Sequence, residues 1–224
     1  MNYEVDILKQ EVRIALDQNR SSEALLVAAD IDTLSLDDII ESKIADAARI
    51  VTRDAPVYLL DGGVSIGKAE GDTEVYSIEW FNRQKVGLSG GWINLPNNFL
   101  RLVSFKMSDW DRAVTEAITE SHPLYAQQKS RYAGIRGCPQ NPVVALVSKK
   151  GGLALEFYSC TAGADVTVEK AEYIPMPEIA GGEIIICEKL KSAVVYYTAY
   201  LVALTIGQTE LAATMLNLSK EFLQ

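Results

Sequence analysis

The sequence predicts an α+β fold in which helices from the two ends of the chain form a bundle and a β-rich insertion fills the middle; three observations carry the prediction. Apolar residues recur at helical spacing near both termini. They alternate with polar residues at period two through the central part. Gly and Pro gather in that same central part, where turns must join short strands. The 224 residues divide accordingly into an N-terminal helical part (1–56), a β-rich central part (57–175) and C-terminal helices (176–224), with the two helical parts expected to pack as one unit.

Taken in order, Val5, Leu8, Val12 and Leu16 share one face of an amphipathic helix of about four turns. Asn19 to Ser22 breaks it, and Ser21 or Ser22 can cap a second short helix over 23–29, followed by a polar loop over 30–35. A third helix is better marked. Ser35 is its N-cap with Asp38 three residues on, and Leu36, Ile40, Ile44, Ala47 and Val51 form its stripe. Pro56 ends it, because it lacks an N–H and biases Ala55 away from helical angles.

The run Val57, Tyr58, Leu59, Leu60 reads as a short apolar strand, and 75–80 alternates Tyr76, Ile78 and Trp80 against Val75, Ser77 and Glu79. The stretch 95–110 is the centre of the arrangement. After the turn at Pro96, Asn97 and Asn98 it alternates Phe99, Val103, Phe105 and Met107 against Leu102, Ser104, Lys106 and Ser108, which predicts a strand serving as a floor for the outer helices. Lys149-Lys150-Gly151-Gly152 predicts a hairpin between 142–147 and 153–160, and 166–174 adds a strand before Pro175 and Pro177 stop it. Between Trp110 and Asn141 the pattern is poor, which predicts a long irregular excursion. Towards the end, Leu190, Val194, Tyr197, Leu201 and Leu204 mark one helical face, and Ala193, Tyr196, Tyr200 and Ala203 widen it almost to the full circumference. Such a helix is covered on most sides. Gly207 terminates it, and Leu211, Met215, Leu218 and Phe222 stripe a last helix.

Composition narrows the function classes. A formal net charge of −9 opposes general affinity for nucleic acid, whose phosphates are held by clustered Lys and Arg. Cys138, Cys160 and Cys187 are odd in number and lack ligand spacing, so neither a disulfide framework nor a zinc site is indicated, and a reducing compartment fits best. The first residues carry acids where a secretory leader needs a basic region. The most apolar run, 193–206, contains three Tyr and two Thr and is short for a bilayer, so no membrane insertion is expected.

Several motifs invite chemistry. In the segment 62–68, Gly62, Gly67 and Lys68 match the spacing of a phosphate-binding loop, which makes a nucleotide-binding protein the competing function. Ala69 stands where a hydroxyl should meet Mg²⁺, however, and 70–74 cannot open a helix, so the segment reads as a glycine-rich β connection with Lys68 in solvent. His122, the one histidine, sits between Ser121 and Pro123 in a predicted loop with no nucleophile elbow nearby. Asp30, Asp32, Asp37, Asp38 and Glu41 lack the glycine and closing Glu of a calcium loop and read as a solvated face near a helix start. The tyrosines Tyr196, Tyr197 and Tyr200 suit either a core or a subunit interface. No catalytic residue, cofactor or metal is expected.

With the order assembled, the chain resembles the head-to-tail connector (adaptor or ring) proteins of tailed bacteriophages, most of all the ring proteins of crAss-like phages. The residues that carry the resemblance are the central Leu95-Pro96-Asn97-Asn98-Phe99-Leu100-Arg101-Leu102-Val103, Trp110 with Val114 to Ile118, Tyr125-Ala126-Gln127-Gln128, Arg136-Gly137, Asn141-Pro142-Val143, and Tyr173-Ile174-Pro175 ahead of a Tyr-rich helix. The resemblance implies a non-enzymatic virion protein, made in the bacterial host cytoplasm. It would form a homo-oligomeric ring, commonly a dodecamer, beneath the portal protein. Its implied work is to extend the DNA channel, complete the head and dock the tail, with other ring or tail proteins as neighbours and DNA passing without specific binding. A tail-completion or stopper protein is a further alternative with the same physics. Twelve copies at −9 would carry on the order of a hundred negative charges, and a negative lumen makes few phosphate contacts. The candidate assembly-interface residues are Trp110, Tyr125, Arg136, Tyr196 and Tyr200. The excursion 110–141 and one terminal helix are the segments expected to order against neighbours.

Overall fold

The computed structural model describes residues 1–17, 35–70, 73–83, 88–130, 132, 135–161 and 166–224. The fold is α+β, with N-terminal helices packed against C-terminal ones and β-sheets in the central part of the chain. It divides into a helical unit, Met1–Asp61 with Met176–Gln224, and a β unit, Gly62–Pro175.

In the helical unit, strand β1 (Asn2–Glu4) leads directly into α1 (Val5–Asp17), whose Val5, Leu8, Val12 and Leu16 are buried on the expected stripe. Helix α2 (Leu36–Asp54) opens with a capping box: Ser35 Oγ accepts from the Asp38 N–H at 3.2 Å, and the Ser35 N–H donates to the Asp38 carboxylate at 3.1 Å. Hydrogen bonds from Ser35 hold the Asp38 carboxyl below its ordinary range. The helix stops where Ala55 turns extended (φ −63°, ψ 140°) ahead of Pro56. Lys9 pairs with Glu41 at 2.9 Å and Arg13 with Asp37 at 2.6 Å, so carboxylates of the acidic cluster hold α1 to α2. The short helix expected over 23–29, with Asp30 and Asp32, lies outside the described residues.

The apolar run after Pro56 is a correction to the strand expected there. Leu59 and Leu60 donate to the carbonyls of Pro56 and Val57, closing a 3-10 turn over Val57–Leu59 that leaves Val57 and Tyr58 exposed while Leu59 and Leu60 pack on the helical core. Proline fixes the φ at which such a turn begins.

Helix α4 (Lys191–Thr205) buries Ala193, Val194, Val195, Thr198, Ala199, Val202 and Ala203, so its coverage is wide but centred away from the predicted face, where Tyr197 and Leu201 are half-buried and Leu204 is 44% exposed. It ends at Gly207, which adopts φ +82°, while the Gln208 N–H reaches back to the Ala203 carbonyl at 2.8 Å. Only glycine takes that angle without a Cβ penalty. Helix α5 (Thr209–Glu221) departs from its predicted stripe: Met215 is buried, Leu211 and Leu218 are half-buried and Phe222 is 46% exposed. The buried positions shift instead to Ala212 and Ser219, whose Oγ donates to the Ala193 carbonyl at 2.9 Å. Small residues let two backbones approach more closely than leucines would. A small sheet, in the order β1, β13 (Glu183–Ile185), β12 (Ile179–Ala180), completes the unit.

In the β unit, β2 (Val64–Ser65), the hairpin β3 (Lys68–Glu70) with β4 (Thr73–Val75), and β5 (Ile78–Arg83) precede β6 (Leu88–Asn94) and β7 (Phe99–Met107). The excursion then supplies β8 (Ile118–Thr119) and the one-turn helix α3 (Pro123–Gln127) before β9 (Val144–Lys149), β10 (Gly152–Thr161) and β11 (Val168–Pro175). A five-stranded sheet runs β5-β6-β10-β9-β8, with β8 parallel to β9, and a three-stranded one runs β2-β11-β7. The β9–β10 hairpin turns where the sequence places it, Lys149 pairing with Gly152.

Strand β7 forms, but its alternation is broken. Leu102 pairs with Tyr173 and Ser104 with Glu172, so Val103 is the extra residue of a bulge; Leu102 is buried and Val103 only half-buried. The strand serves the core of its own unit. Its Phe99, Leu102, Phe105 and Met107 join Trp110, Leu155, Phe157 and Tyr173 in a core made of β-unit residues, whereas the core around α1, α2, α4 and α5 is made of helical-unit residues.

Candidate assembly surfaces

The five residues singled out for assembly fall into two groups. In the β unit, Trp110 is 2% exposed and meets Phe105 edge-on at 5.6 Å between ring centroids. Its indole is core, and offers a neighbouring molecule nothing to touch. Alongside it lies Cys160, whose thiol is pushed up to about 12 by burial and then by the Asp109 carboxylate.

Tyr125, on α3, is half-buried and bound into the sheet. Its hydroxyl donates to Glu156 Oε2 at 3.2 Å, its ring stands edge-on to Tyr158 at 6.3 Å, and Lys129 Nζ lies 5.6 Å from the ring centroid. Glu156 is 6% exposed in the middle of β10, with Lys149 Nζ at 3.8 Å. Burial, followed by the Glu156 carboxylate, raises the hydroxyl pKa of both Tyr125 and Tyr158. A buried carboxylate is tolerated only when hydrogen bonds and a cation replace water, and here two tyrosines and a lysine do so. Arg136 is half-buried, its Nη1 donating to the Ser130 carbonyl at 3.4 Å. The exposed apolar side chains of this excursion are others: Leu124, Tyr132 and Ile135.

In the helical unit, Tyr196 stacks on Phe222 at 5.5 Å with 7° between the planes, and Tyr200 meets Tyr197 edge-on at 5.3 Å. Both candidates are half-buried, each with an edge towards solvent. Tyr58, 65% exposed, donates to the Gln224 carbonyl at 2.9 Å. On α1, Ile7 and Ile14 are exposed and, seven residues apart, share a face opposite the buried stripe. Sequence reasoning passed over Ile7 and Ile14, although their offset from Val5, Leu8 and Val12 was a usable signal. Tyr58 and Phe222 carried no such signal, because both were assigned to buried runs.

The remaining motifs resolve simply. After Lys68 the chain enters a β hairpin, so no helix N-terminus faces the glycine segment as a phosphate loop requires. His122 caps α3, its Nδ1 accepting from the Leu124 N–H at 3.2 Å. Cys187 Sγ lies 2.9 Å from the Leu59 carbonyl and 3.1 Å from Asp61 Oδ1. Among the described residues no three His, Cys, Asp or Glu side chains group as a metal site would, and no helix is long and apolar enough to cross a membrane. No protein-family model matches the chain, and neither does any curated protein.

Proposed function

We propose that this chain is a structural protein of a tailed-phage virion, forming a ring below the portal that extends the DNA channel, completes the head and docks the tail. The observation that carries the reading is architectural: helices from both ends of the chain share one core while a β-rich unit is inserted between them in sequence, the arrangement that connector proteins of this kind imply. Exposed apolar side chains on the helical unit, Ile7, Ile14, Tyr58 and Phe222, supply area for contacts between copies. A net charge of −9 per chain suits a lumen past which DNA slides.

The chemistry is association rather than bond making. Tyr196, Tyr200, Tyr125 and Arg136 each keep an edge in solvent while held by internal contacts, so ordering them at an interface costs little entropy. The competing nucleotide-binding reading has the strand after Lys68 against it. The test is to locate the chain in purified particles by mass spectrometry and imaging. It should be a stoichiometric component at the portal vertex, and its absence from virions would overturn the proposal.

A further inference from the structure

Ser159 occupies an uncommon place for its residue type. It lies within β10 where the pairing with β6 shifts between Phe157 and Cys160, and its φ is +86°, a left-handed angle that L side chains avoid. It is 4% exposed, and its Oγ meets no hydrogen-bond partner among the described residues. A buried hydroxyl left without a partner is costly, so such groups are ordinarily satisfied by protein or by an ordered solvent molecule.

The hydroxyl borders a cavity of about 20 Å³, whose other polar walls are Ser89, Gln128, Arg136 and Tyr158. About 10–15 Å³ suffices for one water, so the space admits one. The excursion approaches closely here. A Cβ on Gly137 would fall 2.4 Å from Ser159 Oγ, and the Gly137 N–H donates to Gln128 Oε1 at 2.9 Å. Gln128 is itself 2% exposed, with Nε2 donating to the Leu124 carbonyl at 2.9 Å, so its amide is fixed in orientation.

We infer that this cavity is a binding site for a single internal water, which accepts from or donates to Ser159 Oγ and bridges β10 to the excursion through its other polar walls. A neutral ligand that both donates and accepts fits the mixed wall: the Arg136 guanidinium only donates, the Ser159 hydroxyl does either, and the carboxylate of Glu156, which holds the Tyr158 hydroxyl, disfavours an anion. The inference does not depend on the assembly reading.

A crystal structure of the full chain at about 1.5 Å resolution tests it directly. The expected result is one solvent peak at about 2.7–3.2 Å from Ser159 Oγ and within the same range of a second polar wall atom. An empty cavity overturns the proposal, and so does an anomalous peak there after a bromide soak, which assigns the site to a halide. In Ser159→Ala the peak should vanish and amide exchange over 128–137 should quicken at least threefold. A peak retained at full occupancy in that variant would overturn Ser159 as the anchor. Should the variant fail to fold, the density in the unaltered protein decides alone.

Discussion

The two units bury different kinds of side chain. The core of the β unit is aromatic: Phe99, Phe105, Trp110, Phe157 and Tyr173 are all inside it. The core of the helical unit is aliphatic, with Ala47, Ala48, Ala193, Ala199, Ala203 and Ala212 buried in it, and its rings, Tyr3, Tyr196, Tyr197 and Tyr200, stand half-buried around it. The reason lies in element spacing. Stacked sheets lie about 10 Å apart and need rings to fill the gap, whereas helices crossing at about 8–10 Å between axes need small residues at the crossing. An aromatic residue is therefore spent on stability in one unit and left near the surface in the other, which turns attention to the helical unit as the stickier of the two.

The three tryptophans of the chain, Trp80, Trp92 and Trp110, all lie in the β unit, so their fluorescence follows that unit while far-ultraviolet dichroism follows the helices. The contrast is tested most severely by Phe157→Ala, which removes a fully buried ring and should cost the tryptophan-reported transition about 3–5 kcal/mol in urea. The helical signal should move less, and equal shifts in both would mean that the two cores do not act separately.

Alkaline titration comes next. The Cys160 thiol ionises near 9 when unfolded and is pushed up to about 12 in the fold. Its contribution is complete below pH 9 and is lost as the pH rises towards 12, because the folded state then holds a proton that the unfolded state has released. The tryptophan-reported stability should fall by up to about 1.4 kcal/mol per pH unit from this group, and Cys160→Ala should reduce the slope by that share, the raised hydroxyls of Tyr125 and Tyr158 in the same unit keeping the remainder. Burial pushes Cys187 and Tyr197 of the helical unit the same way, so the variant, rather than pH alone, separates the units. A slope unchanged in Cys160→Ala would remove the thiol from the account.

Ala199→Leu adds volume where α4 is fully buried and should cost about 1–3 kcal/mol on the dichroism-reported transition, leaving tryptophan fluorescence nearly still. If Leu is accommodated without loss, the helical core is not close-packed. The smallest effect belongs to Ser35→Ala, which deletes the capping hydroxyl of α2 and should cost about 1 kcal/mol, with faster amide exchange in the first turn of that helix.

Much of this architecture is legible in the residues themselves. Val5, Leu8, Val12 and Leu16 announce α1, Ser35 and Asp38 announce the start of α2, and Lys149 to Gly152 announce the hairpin, because each is a local rule acting on adjacent residues. What escaped reading depends on residues far apart. β1 is three residues long and exists because Glu183 to Ile185 pairs with it, and the bulge at Val103 exists because Leu102 and Ser104 meet neighbouring residues of β11. The candidate surface divides in the same way. The half-exposed edges of Tyr196 and Tyr200 follow from the broad apolar face of α4, whereas Trp110, at the mouth of an irregular excursion, could face in or out until Phe105 is seen against it.

The proposal that this protein works by assembling beneath a portal is tested most directly by mixing the full chain with the portal protein encoded beside it and measuring mass and shape by native mass spectrometry and electron microscopy. The account predicts closed rings of one copy number seated on the portal, and rings weakened by Phe222→Ala, which removes a 46% exposed ring and should cost the monomer only about 0.5–1.5 kcal/mol, from its stacking on Tyr196. A chain that stays monomeric at tens of micromolar with portal present would contradict it.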